Sequence, residues 1–130
     1  MAERPDPTPG TATILVAHGS RNPRAQTAHE ALVESVRGVT EPGLGVLLPA
    51  YLEMAEPGIA AAIDSAVDAG ASEVRVLPCF LHPGNHVEVD IPEILAGARR
   101  RHPDIGITQL PHLGSDSGLV ELLAAMVGTP

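Results

Sequence analysis

The chain has 130 residues and a formal net charge of −8, enough for one domain with its own hydrophobic core. All eight cationic side chains are arginine, the aromatic set is one Phe and one Tyr, and Cys79 is the lone cysteine. These counts argue against a nucleic-acid partner, an intramolecular disulfide and a cysteine-rich zinc site.

Residues 1–11 are polar and Pro-rich and predict a flexible N-terminal tail without a secretory pattern, leaving residues 12–130 as one domain. No apolar run is long enough to span a bilayer, and the cysteine count suits a reducing, cytoplasmic setting. Thr13 to Ala17 is a short continuous apolar run, the pattern of a central parallel strand. Asn22-Pro23 then predicts a helix start, with Ala25, Ala28, Leu32 and Val36 on its apolar face and Gly38 ending it. Gly45 to Leu52 predicts a second strand, and Pro49 puts it at the sheet edge. A second helix opens at Glu56-Pro57 and closes at Gly70, with Ile59, Ile63, Ala66 and Val67 inward.

Glu73 to Cys79 reads as a third strand, followed by a loop from His82 to Val89. A third helix begins at Asp90-Ile91-Pro92, with Asp90 near its cap, and ends on Arg99-Arg100-Arg101, where the macrodipole favours cations. Ile105 to Leu110 predicts a fourth strand, and Ser115-Asp116 caps a last helix carrying Leu119, Leu122, Leu123 and Met126. The alternation predicts an α/β domain, a four-stranded parallel sheet with helices on both faces.

In such sheets ligands bind beyond the carboxyl ends of the strands. His18 follows the first strand and His86 the loop after the third, so both face one rim. Two imidazoles there suit a divalent metal or proton transfer near neutral pH. The bland alternative for His18 is a hydrogen-bonded turn residue. His82 precedes His86 by four residues, but Pro83 and Gly84 make a helical chelating pair doubtful, and His86 is the better candidate. Glu53 follows the second strand and can relay a proton or supply an oxygen ligand, or is a solvated loop carboxylate. Gly19, Ser20 and Arg21 can present amides and a guanidinium to carboxylates, with Arg24 nearby. Gly84 and His112 are further candidates for substrate contact, His112 also reading as structural. Cys79 reads as inert packing on a buried strand, and His29 and His102 as surface residues. Ala17 stands where a histidine phosphatase would place its phosphate-gripping arginine, which disfavours that chemistry.

The segment from Pro78 to Pro92 resembles the Pro-x-Phe-Leu-x-x-Gly-x-His-Val-x-x-Asp-Ile-Pro stretch of the small, single-domain sirohydrochlorin cobaltochelatases (CbiX-type) and the related iron and nickel chelatases. His18-Gly19-Ser20-Arg21, Tyr51-Leu52-Glu53 and Pro111-His112-Leu113-Gly114 match as well, and the resemblance runs from about Thr13 to Val127. It implies a flavodoxin-like, class II chelatase-like fold, His18 and His86 as catalytic, metal-holding histidines, and Glu53 at a recurrent acidic position. It also implies sirohydrochlorin and a divalent metal as substrates, Co²⁺ first and Fe²⁺ or Ni²⁺ as alternatives, no organic cofactor, and a homodimer. No family role transfers to His82. A non-catalytic metal or tetrapyrrole carrier uses the same rim. A flavin binder is disfavoured by the absence of a phosphate-cradling loop after the first strand.

Overall fold

The computed structural model describes residues 10–41 and 45–128, so the proposed tail lies mostly outside the described residues. Its elements are β1 (Thr11–Ala17), α1 (Pro23–Val39), β2 (Val46–Tyr51), α2 (Ile59–Asp68), β3 (Glu73–Pro78), a π-helical turn (His86–Asp90), α3 (Ile91–Arg101), β4 (Gly106–Gln109), a 3₁₀ turn (Leu113–Ser115) and α4 (Ser117–Val127). All strands are parallel, in the order β2-β1-β3-β4. β1 begins one residue inside the expected tail, with Thr11 buried and in register with Glu73.

Alternation along β1 assigns the two faces. Ala12, Ile14 and Val16 are fully buried in one core with Val74 and Val76 of β3, Ile63 of α2, and Ile91 and Leu95 of α3. Each of the Val, Leu and Ile side chains contributes about 1.5–3 kcal/mol by leaving water. Leu15 and Tyr51 face the opposite side, which α1 covers with Val33. There the Tyr51 hydroxyl donates to Gln26 O at 3.1 Å. Burial, then the charge of Glu30, pushes the Tyr51 phenol up from its ordinary range.

His29 is not on the surface as expected: it is 7% exposed, its Nε2–H donates to Leu15 O at 2.8 Å, and its ring meets that of Tyr51 at 5.3 Å. A buried imidazole is tolerated because that bond ties α1 to the central strand. His102 is likewise half-buried, donating to Asp64 Oδ1 at 2.7 Å across α3 and α2.

Pro49 sits opposite Leu15 on the edge strand, where its missing N–H costs no inter-strand bond on the open side. Asn22 caps α1 by accepting from Arg24 N at 3.0 Å. The helix runs past Gly38 to Val39. Helix α2 starts at Ile59 rather than at Pro57, because Pro57 O accepts from Tyr51 N at 2.9 Å and Gly58 bridges Tyr51, extending the sheet edge. Gly70, at φ +105, follows α2 in the left-handed position expected of it. Asp116 caps α4 by accepting from Gly118 N at 2.7 Å. No residue of α4 is buried, and Leu122, Leu123 and Met126 are 55%, 51% and 74% exposed. The expected inward face of this helix therefore faces outward. Among the described residues no helix is long and apolar enough to cross a membrane.

Candidate active site

Beyond the strand ends the chain keeps pairing for a few residues, and this builds the rim. Leu52 N donates to Ala17 O at 2.9 Å and Glu53 N donates to His18 O at 3.0 Å. The loops after β1 and β2 thus run side by side, with His18 and Glu53 in register. Gly19 makes this approach possible: at φ +99, a Cβ there would lie 1.7 Å from Glu53 O. On the other side, Cys79 N donates to Val16 O at 2.8 Å and Gly114 N donates to Phe80 O at 3.0 Å. The β4 loop reaches the β3 loop through Gly114, whose Cβ would meet Leu81 O at 1.6 Å.

The side chains converge accordingly. His18 Nε2 lies 3.2 Å from Glu53 Oε1, both nearly half exposed. The His18 and His86 rings meet edge-on at 4.9 Å between centroids. Phe80 stacks on His86 at 6.2 Å, and His86 Nδ1 lies 2.8 Å from Asp90 Oδ2. His18 Nδ1 is 3.1 Å from Gly19 O and its Nε2 faces the Glu53 carboxylate, so both ring nitrogens face acceptors. A neutral ring has one proton for the two, and a second proton, or a cation between Nε2 and Glu53, satisfies both. Two ligands at about 2.1 Å from one ion stand roughly 3.0–3.4 Å apart, and 3.2 Å falls in that span.

The structure thus brings together His18, Glu53 and His86. His82 is exposed in the bend before the π-helical turn and makes no ring contact with them. His112 is half-exposed at the start of the 3₁₀ turn, where its carbonyl accepts from Ser115 Oγ at 2.7 Å. Ser20 Oγ accepts from Asn22 N at 3.0 Å and shapes the turn into α1. Arg21 and Arg24 are exposed and form no ion pair among the described residues. Gly84 O accepts from Glu88 N at 2.8 Å at the start of the π-helical turn, and a Cβ at Gly84 would meet open space. Among the described residues no three His, Cys, Asp or Glu side chains are arranged to hold a metal ion.

Two expectations change. The stretch before α3 is not all loop: His86–Asp90 forms a π-helical turn running into α3, with Ile91 N donating to His86 O. Asp90 bonds His86 instead of capping α3. Cys79 lies just past β3, partly buried, and burial pushes its thiol up to about 11, which agrees with inert packing.

Sequence reasoning missed the Phe80 stack and the rim's exposed apolar side chains, Met54, Leu81, Val89 and Leu113. The four-residue spacing of His86 and Asp90 was the available signal for their bond. A cavity of about 380 Å³ lies at the opposite, amino end of the sheet, bordered by Thr11, Val46, Ala66 and Gly70, and includes none of these residues.

The CbiX family model matches residues 12–129. The chloroplastic sirohydrochlorin ferrochelatase of Arabidopsis thaliana is 34% identical over 110 residues, 85% of this chain and 48% of that protein. The sirohydrochlorin chelatase SirB of Bacillus subtilis subspecies spizizenii, solved in complex with cobalt, matches with a TM-score of 0.75 and 34% identity over 85% of this chain and 47% of its own. The CbiX protein of Marinobacter aquaeolei VT8 matches with a TM-score of 0.76 and 27% identity over 90% and 93%. The chain spans about half the length of the curated relatives it matches and nearly all of the Marinobacter protein. With a match across nearly its whole length, this chain belongs to the CbiX family.

Proposed function

We propose that this chain is a sirohydrochlorin chelatase, a lyase-class enzyme that inserts a divalent metal into the tetrapyrrole without an organic cofactor. The observation that carries this reading is the His18 Nε2–Glu53 Oε1 pair at 3.2 Å facing the His86 ring across 4.9 Å. Co²⁺ is the first choice, for cobalamin synthesis, with Fe²⁺ for sirohaem or Ni²⁺ as alternatives, since imidazole and carboxylate ligands accept all three.

Metal insertion bonds the ion to the four ring nitrogens, and the two that carried N–H groups release their protons. His18 and His86 receive the incoming ion, with Glu53 guiding it, and the two imidazoles take up the protons as the ion leaves for the macrocycle. Glu53, nearly half exposed, passes them to water. Incomplete ligation suits a metal that must leave for the macrocycle. Met54, Leu81 and Leu113 offer apolar contacts to a flat ring. Arg21, the amides of Gly19 and Ser20, Gly84 and His112 stand around the rim as contacts for the substrate's carboxylates.

The active form in this reading is a cytoplasmic homodimer, with neither nucleic acid nor membrane as partner. Support for the second copy comes from α4, an apolar helix with no buried residue, and from the Arabidopsis and Bacillus proteins, of which this chain matches only about half.

The test is anaerobic insertion of Co²⁺, Fe²⁺ and Ni²⁺ into sirohydrochlorin, followed by absorbance. Catalysed turnover supports the reading. Tight stoichiometric metal or tetrapyrrole binding without turnover replaces it with a carrier.

A further inference from the structure

The His18 imidazole meets Glu53, but His86 meets a different carboxylate. Asp90 Oδ2 lies 2.8 Å from His86 Nδ1. The two residues are four apart in the π-helical turn, whose backbone passes without a break into α3: Asp90 itself is helical at φ −65, ψ −50. An aspartate before a helix ordinarily accepts from an amide of the first turn, yet the Asp90 side chain makes no such bond. Its carboxylate is committed to the imidazole.

That commitment has a chemical consequence. A neutral imidazole carries one proton, and the nitrogen that holds it is decided by the acceptor available to it. A carboxylate can only accept, so Nδ1 donates and the lone pair is left on Nε2. Phe80 stacks on the ring at 6.2 Å between centroids and an interplanar angle of 28°. His18 differs: its Nδ1 faces Gly19 O at 3.1 Å and its Nε2 faces Glu53 Oε1 at 3.2 Å, so no single acceptor fixes its tautomer. His86 is the ring held at Nδ1 by one carboxylate.

Building on the chelatase reading, we propose that Asp90 is the positioning residue for His86. It holds the ring as the Nδ1–H tautomer, so that Nε2 is the atom that meets the metal or accepts a pyrrole proton. Without Asp90 the ring reverts toward the Nε2–H form that free histidine prefers, and the nitrogen at the crevice becomes a donor.

The test uses the full-length, metal-free, ¹⁵N-labelled protein at about pH 8.5, roughly two units above the ordinary imidazole value. Long-range ¹H–¹⁵N spectra, with the His86 signals assigned from His86→Gln, should place the proton on Nδ1 in the wild type. In Asp90→Ala it should move mainly to Nε2, and in Asp90→Asn it should stay on Nδ1, because the amide oxygen still accepts. Titration with Co²⁺ alone should be about 10- to 100-fold weaker in Asp90→Ala and much less affected in Asp90→Asn. Insertion should lose kcat with KM for sirohydrochlorin unchanged. Should Asp90→Ala not fold, Asp90→Ser, equally too short to reach the ring, replaces it. A wild-type tautomer in the alanine or serine variant overturns the proposal, even if turnover is lost, because the role of Asp90 is then structural. If the wild type inserts no metal, the chelatase reading falls while the tautomer and the Co²⁺ titration still decide the role of Asp90.

Discussion

Replacing Gly19 with alanine tests whether the site is built by the close approach of two loops. The added Cβ would lie 1.7 Å from Glu53 O, and ordinary van der Waals contact begins at 3.4 Å, so the segments must part by about 1.7 Å. The backbone atom cannot swing aside as a side chain would. Parting breaks the 3.0 Å bond from Glu53 N to His18 O, worth about 1 kcal/mol, and alanine at φ +99 costs about 1–3 kcal/mol more. The expected destabilisation is about 2–4 kcal/mol, or roughly 8–15 °C in Tm for a domain of this size. Since His18 and Glu53 are carried on the separated segments, turnover should fall about 100-fold. Gly38→Ala is the control: it lies within α1, its Cβ meets nothing within 4 Å, and it should gain about 0.5–1 kcal/mol. Thermal unfolding and Co²⁺ titration of both variants read the effect. A Gly19→Ala protein with wild-type Tm and Co²⁺ affinity would refute the argument that the rim is held together at this contact.

Further expectations concern the rest of the molecule. His29→Leu keeps most of the volume but removes the buried bond to Leu15 O, and urea unfolding should show a loss of about 1–3 kcal/mol. Cys79, with its thiol pushed up to about 11 by burial, should react with a soluble maleimide at about pH 8 roughly 100-fold more slowly than an ordinary thiol, from its thiolate fraction alone. Asp64 is held below its ordinary value of 3.8, first by the hydrogen bond from His102 and then by Arg101. A depressed carboxylate stabilises the fold above its unfolded value and loses that contribution as pH falls through the folded one. The Tm advantage of the wild type over Asp64→Asn should therefore be present at neutral pH and shrink as the pH drops below that ordinary value. If a second copy covers α4, sedimentation should give a dimer for the wild type and a monomer for Leu123→Glu, whose side chain is half exposed in the single chain.

The sheet was legible because its strands are continuous apolar runs, and Pro49 marked the edge strand that the topology places there. The positions of His18 and His86 followed from that topology, since parallel strands deliver their next loops to one rim. What stayed hidden depends on contacts across sequence. His29 falls on an exposed-looking turn of α1, and only its approach to Leu15 O buries it. The π-helical turn leaves no periodicity of its own, so a Pro-Gly-Asn loop before it masked the helical spacing of His86 and Asp90. Leu122, Leu123 and Met126 have the pattern of a core face, and a pattern does not say which surface it meets.

The central claim is that His18 and His86 work on a metal entering sirohydrochlorin. The most direct measurement is the anaerobic rate of Co²⁺ insertion, read by absorbance, for the wild type, His18→Ala and His86→Ala at equal, folded concentration. The account requires catalysed insertion in the wild type and a fall toward the spontaneous rate in both variants. Insertion at the wild-type rate in either variant would contradict it.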